Sequence, residues 1–336
     1  MNTYIIRASH ANQYELQNYE PLIKKFDIKL ITSKNPLTAT IIPTIKLWSP
    51  TDLPNFPFHR QIFNRLLGGE QWLLGLDNIV GDRDVLHTAE TYTPYTHQAV
   101  LLRKHNKIKK LVCTCWETIP HNNEKFARLR AWKKDAYKYV DTFHTPTTLA
   151  KNALINEGVD PRKIKVINYG VDLTRFKPIS KRNVSPKPVV LTVARKVMEK
   201  GLGIWEKLRD ELSESVTFKW VDSLPYEKII KEYQKANAFL LPSLSTSTWE
   251  EQYGMALVEA MATGLPIITT NTGAIPEVVG NAAILCSPDH NTIRSKLKEL
   301  INSHAMIERY QNLSKTRAKS RYDRNIQSQK LASLYD

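Results

Sequence analysis

Cysteine is nearly missing from the chain: Cys113, Cys115 and Cys286 are the only three in 336 residues. So few thiols, in odd number, exclude a disulfide framework and point to a reducing, cytosolic compartment. No stretch of about 18 consecutive apolar residues occurs, which argues against a membrane-spanning helix. The start of the chain passes from Met1 straight into the strand-like Tyr4-Ile5-Ile6, without a basic segment followed by an apolar one, so no secretory signal is read there. Low-complexity tracts and internal repeats are absent, and 42% hydrophobic residues are too many for wholesale disorder. At roughly 100 to 200 residues per domain, the length predicts two domains, each able to bury a core.

Positive charge is present in excess. Lys and Arg number 48 against 33 Asp and Glu, a net +15. Residues 101–140 carry 11 basic and 3 acidic side chains, which is most of the excess of the first half. Within them Phe126, Leu129, Trp132, Ala136 and Val140 recur every three or four residues, an apolar helical stripe, while Arg128, Arg130, Lys133, Lys134 and Lys138 fill much of the remainder. Two readings stand for this basic amphipathic helix: the solvated face of an ordinary domain helix, or contact from Phe126 to Val140 with an anionic membrane surface or lipid phosphate, peripheral at the inner face. Charge alone would permit nucleic acid, but no zinc-finger spacing, basic zipper or aromatic RNA-binding signature supports it.

Short apolar runs alternate with helix-length amphipathic stretches throughout, the pattern of βα units and parallel sheets. Strands are expected near residues 4–6, 28–32, 45–48, 84–87, 111–115, 142–144 and 165–167. After the polar, proline-bearing stretch 176–188 they resume near 189–193, 217–221, 238–241, 266–269 and 283–286. The organisation read from this is two doubly wound domains, 1–175 and 176–317, with a polar C-terminal helix at about 318–336 packing back on the first. Cys113 and Cys115 are expected as core thiols on opposite faces of a strand.

The densest chemical signal lies between two expected strands. A loop carries Glu250, Glu251, Tyr253 and Gly254, and a helix from about Met255 to Ala262 ends at Gly264 and Pro266. Gly254 lets a ligand approach the backbone, and the free N–H groups of Met255 and Ala256 suit an anion such as a diphosphate. Glu259, a turn further on, and Glu251, in the loop, are suited to sugar hydroxyls.

With Gly254, Glu259-Ala260-Met261-Ala262, Gly264-Leu265-Pro266 and Gly273-Ala274-Ile275-Pro276-Glu277, the spacing of Glu251 and Glu259 resembles the E-x7-E region of the family 4 retaining glycosyltransferases, which have the GT-B fold. Val193 to Gly201 resembles the family's strand end bearing an Arg and a Lys five apart, here Arg195 and Lys200. Asn168 to Asp172, followed by Phe176 and Pro178, resembles its element at the domain junction. The resemblance implies two Rossmann-like domains facing a central cleft: the first for a hydroxyl acceptor, lipid-linked or a surface glycan, and the second for a nucleotide diphosphate sugar. It also implies retention of anomeric configuration, with the departing phosphate as base, UDP or GDP as carrier, and no cofactor or metal, the cations of Arg195 and Lys200 offsetting the diphosphate charge. Glu251 would hold the donor sugar and Glu259 the ribose.

On the acceptor side, Asp84 to Glu90 resembles a strand end of the family, and Leu111 to Pro120 resembles a subgroup that lacks the common acceptor-side histidine. His87, Glu90, Glu117 and His121 are left as unranked substitutes. Arg7 to Asn12 stands where the family has a Gly-rich loop, with His10 or Ser9 as candidate phosphate contacts. Two rivals stand beside this reading: a catalytically weak sugar-nucleotide-binding protein, and a glycosyltransferase acting on nucleic acid.

Overall fold

The computed structural model describes residues 2–38, 40–179 and 187–336. The chain forms two compact units, residues 1–169 with 325–336, and residues 170–324. The chain thus leaves the first unit after Tyr169, ahead of the expected linker, of which residues 180–186 lie outside the described residues.

The first unit holds a seven-stranded sheet of β1 (Thr3–Ile6), β2 (Ile28–Thr32), β3 (Thr44–Lys46), β4 (Val85–Ala89), β5 (Lys110–Thr114), β6 (Thr142–Thr145) and β7 (Ile164–Val166), in the order β3-β2-β1-β4-β5-β6-β7. All its pairs are parallel, with Ile5 opposite His87 where β1 meets β4. The inner strands β1 and β4 are buried throughout, as helices on both faces of a parallel sheet require, while edge strand β3 is not. The second unit holds β8 (Val189–Val193), β9 (Thr217–Val221), β10 (Ala238–Leu241), β11 (Ile267–Thr270) and β12 (Ile284–Cys286), also all parallel, in the order β12-β11-β10-β8-β9. Every expected strand is found.

Strand order fixes where a ligand belongs. The winding reverses between β1 and β4 in one sheet and between β8 and β10 in the other, so the crevices open at the carboxyl ends of those pairs. These ends carry Arg7 and Glu90 in the first unit, and Ala194 to Lys200 and Pro242 to Glu251 in the second.

Two expectations are corrected, and the end of the chain adds a finding. Cys113 and Cys115 share a face, with their sulfurs 3.8 Å apart, because side chains two residues apart on a strand point the same way. The C-terminal segment is not one helix. His304–Arg321 belongs to the second unit, where buried Ser314 donates to the carbonyl of Leu265 at 2.8 Å, and Arg324–Ala332 leads into the first. The last stretch is also core: Leu331, Leu334 and Tyr335 are buried, and Ser328 donates to the carbonyl of Asn18 at 2.5 Å. Three- and four-residue spacing puts these apolar groups on one side despite the polar composition. Among the described residues, no helix is long and apolar enough to cross a membrane.

Candidate functional site

In the second unit, the loop after β8 turns through the short 3-10 segment Met198–Lys200 and ends at Gly201, with φ of 79°. The Leu244 amide donates to the Glu199 carbonyl at 2.8 Å, tying this loop to the one after β10. Gly201 packs so tightly that a Cβ there would lie 1.9 Å from the Pro242 carbonyl oxygen. Gly201→Ala therefore combines a left-handed backbone with a backbone clash, and is expected to cost about 3 kcal/mol or more. A thermal melt checks this; an unchanged midpoint would refute the packing described.

The anchored loop delivers Lys200 to Glu251. Its Nζ lies 2.6 Å from Glu251 Oε2, which also accepts from Ser243 Oγ at 3.0 Å, and the ammonium stands 5.0 Å from the Trp249 ring centroid. Glu251 is buried, so the cation and the hydroxyl offset the cost of removing its charge from water. Arg195 is exposed; its carbonyl accepts from the Val197 amide at 2.9 Å, while its guanidinium makes no hydrogen bond or ion pair with the described residues. Gly254, at φ 77° and ψ 57°, begins the helix Met255–Ala262 with no side-chain cap, so the first-turn amides of half-buried Met255 and Ala256 stay open. Tyr253 is buried edge-on against Tyr322, a packing role.

Glu259 is only 1% exposed. Tyr233 donates its hydroxyl to Oε2 at 2.7 Å, while Oε1 is buried without a hydrogen-bond partner among the described residues. Burial pushes the carboxyl up to about 8, against the pull of the Tyr233 and Tyr226 hydroxyls and of the Arg175 charge. This unpartnered oxygen lies about one turn along the helix from its uncapped start. Sequence reading does not reach Ser243, Trp249 or Tyr233. Ser243 could have been found from its place just beyond the β10 end, whereas nothing local marks Tyr233, which comes from the helix Tyr226–Lys235.

The first unit sorts the acceptor-side candidates. A groove of ≈ 1030 Å³ is lined by His10, Asn12, Glu90, Tyr92, Trp116 and Arg128, among others. Glu90 follows β4 with φ of 61°, an uncommon conformation for a residue with a side chain. Its Oε1 accepts from the Trp116 amide at 2.7 Å, and burial pushes the carboxyl up to about 8. His10 is exposed, its ring 2.8 Å from the Gln71 amide. His87 is sealed in the core. Its ring nitrogens lie 2.7 Å from Tyr335 Oη and 2.7 Å from Thr114 Oγ1, and burial holds it well below the usual histidine range. Glu117 is consumed by its own loop, accepting from the amides of Thr118 and Ile119 and from Asn122 and Asn123. His121 lies apart on the surface, 3.3 Å from Glu124. Glu124 and Glu157 share the buried ammonium of Lys133, at 2.9 and 2.7 Å. Arg7 turns inward to Glu15 at 2.5 Å rather than toward a ligand.

The basic helix, Ala127–Tyr139, corrects the membrane expectation for its stripe. Trp132, Ala136 and Val140 are buried in the first unit, and Lys133 with them, so the stripe faces the core. Phe126 remains outside, together with the cations Arg128, Arg130, Lys134 and Lys138 along the opposite side of the helix.

Two parallel α/β units, each with its crevice at a strand-order reversal, define a GT-B glycosyltransferase scaffold. The HepE protein of Anabaena, solved in complex with UDP-glucose, superposes with a TM-score of 0.75 over 100% of this chain and 99% of its own, at 15% identity. A model described as "Glycosyltransferase Family 4" matches residues 23–175, and one described as "Glycosyl transferases group 1" matches residues 205–320. Between them the two models span most of the chain, which is in both halves similar to the family 4 glycosyltransferases. The amylovoran biosynthesis glycosyltransferase AmsK of Erwinia amylovora is 25% identical over 221 residues, 56% of this chain and 54% of AmsK. The capsular polysaccharide biosynthesis glycosyltransferase CapM of Staphylococcus aureus is 32% identical over 110 residues, 32% of this chain and 28% of CapM. The chain spans about half the length or less of these curated relatives.

Proposed function

We propose that this protein transfers a sugar from a nucleotide diphosphate sugar to a hydroxyl acceptor, with retention of anomeric configuration and without a metal. The observation that carries the reading is the Lys200–Glu251 pair at the β8/β10 switch, beside the free Arg195 and the uncapped helix start at Gly254. As the sugar leaves, charge grows on the diphosphate. Fixed cations and open amides in a site of low polarity stabilise that charge without reorganisation. Glu251 then holds the donor sugar and the open oxygen of Glu259 takes a ribose hydroxyl. The acceptor enters the first-unit groove, where Glu90 is the carboxyl best placed to meet its hydroxyl, and retention follows if the departing phosphate takes the acceptor proton. HepE with UDP-glucose supports UDP-hexoses as the first donors to try, and AmsK and CapM support an acceptor on the route to a surface polysaccharide.

Thermal stabilisation and slow donor hydrolysis across UDP-, GDP-, ADP- and CMP-sugars test the reading. The expected result is one donor that stabilises and is hydrolysed by the wild type, and by neither Glu259→Ala nor Lys200→Ala. Silence across the panel from folded protein would refute it in favour of a binding protein without turnover.

A further inference from the structure

We propose that the helix His59–Leu67, together with Phe126 across the groove, is a docking surface for an anionic lipid membrane. Residues 53–69 contain no carboxylate. Within them Phe58 is 71% exposed, Ile62 40% and Leu66 66%; Ile62 and Leu66 lie four residues apart on one face of the helix, and Phe58 caps its start. Arg60 and Arg65 on the same helix are exposed. The facing wall repeats this chemistry: Phe126 is 56% exposed between Lys125 and Arg128, and residues 125–134 carry no acidic side chain.

The two walls form one surface. Arg60 and Arg65 line the same groove as Lys125, Phe126 and Arg128. The helix end is seated on the basic helix at Gly68, where a Cβ would lie 2.2 Å from the Trp132 ring.

Glu70 on the groove wall is held by His59 at 2.8 Å, and Arg60, Arg65, Lys125 and Arg128 have no ion pair among the described residues; apolar side chains left in water among such cations match the boundary between lipid headgroups and acyl chains. A second copy of the chain fits less well, because a symmetric contact would bring arginine against arginine. Nucleic acid would satisfy the arginines but leave Phe58, Ile62 and Leu66 without a use. A groove opening at the headgroup layer would receive an acceptor carried on a membrane lipid, a consequence that rests on the sugar-transfer reading; the docking itself does not.

Co-sedimentation of the full chain with phosphatidylcholine vesicles, with and without phosphatidylglycerol, tests the proposal in the absence of donor. The anionic vesicles are expected to bind at least about tenfold better, and high salt to weaken that binding. Phe58→Ser with Leu66→Ser is expected to lower binding by about tenfold or more through lost insertion. Arg60→Glu with Arg65→Glu is expected to do the same through lost charge. Because all four side chains are exposed, the melting midpoint and any stabilisation by nucleotide sugar should stay unchanged. Equal binding to neutral vesicles, or anionic binding undiminished by the serine pair, would overturn the proposal. So would a serine pair that converts a dimer to a monomer, or duplex DNA that competes with the vesicles. Each of these outcomes leaves the donor-panel result standing, so the two readings fail separately.

Discussion

Lys200→Ala is expected to lower turnover by about 10²- to 10³-fold, the usual loss when one fixed donor to a developing oxyanion is removed. The substitution removes the ammonium held at the β8/β10 switch, 2.6 Å from Glu251. It also leaves the buried Glu251 carboxylate with only the Ser243 hydroxyl, so part of any loss could arise from a disturbed pocket. Pairing it with Glu251→Gln separates the two effects. The double variant restores a neutral interior and should recover the melting midpoint lost in the single variant, yet turnover should remain low because the cation is still missing and the carboxylate for the donor sugar is gone with it. Steady-state rates and melts of the four proteins form one thermodynamic cycle. Recovery of turnover together with stability would mean that Lys200 serves only to neutralise Glu251.

The second large effect concerns Glu259, where stability and donor binding are expected to move in opposite directions. Its carboxyl lies at about 8 in the folded chain against an ordinary value of 4.5, because burial disfavours the charged form. Between those values the folded state retains a proton that the unfolded state releases, so this residue's contribution makes stability fall as pH rises from about 4.5 to about 8, and level outside that window. Glu259→Gln keeps the shape and removes the titration. Its melting midpoint should therefore match the wild type near the acid end and exceed it increasingly toward the alkaline end. The same variant loses the carboxylate for a ribose hydroxyl, and donor affinity should drop by about tenfold or more. Melts across the pH window, with and without donor, check both halves. A variant less stable than the wild type at the alkaline end would show that the open oxygen is not stranded as described. Glu90 shares the raised value, so Glu90→Gln serves as the control that apportions the remaining slope.

Twelve strands and the break between two sheets were legible because parallel strands buried on both faces are short apolar runs, and the helices between them carry their own period. The second-unit site was also legible, since Glu251, Gly254 and Glu259 sit on one loop and the helix it begins, where spacing in sequence becomes spacing in space. The sequence could not rank the acceptor side. His87 and Glu90 are three residues apart at the end of the same strand, yet one is sealed between Tyr335 and Thr114 while the other turns at φ 61° into the groove. Tyr335 arrives from 248 positions away, and no local pattern announces such a partner. Likewise the apolar stripe from Phe126 to Val140 determined that a helix would form, but not that its face would close the core around a buried Lys133. Local periodicity and motif spacing settle what the chain's nearest neighbours decide. Burial, pairing and exposure are decided by groups distant in sequence, and for this protein those are what separate a core histidine from a groove carboxyl, and a packed stripe from an exposed one.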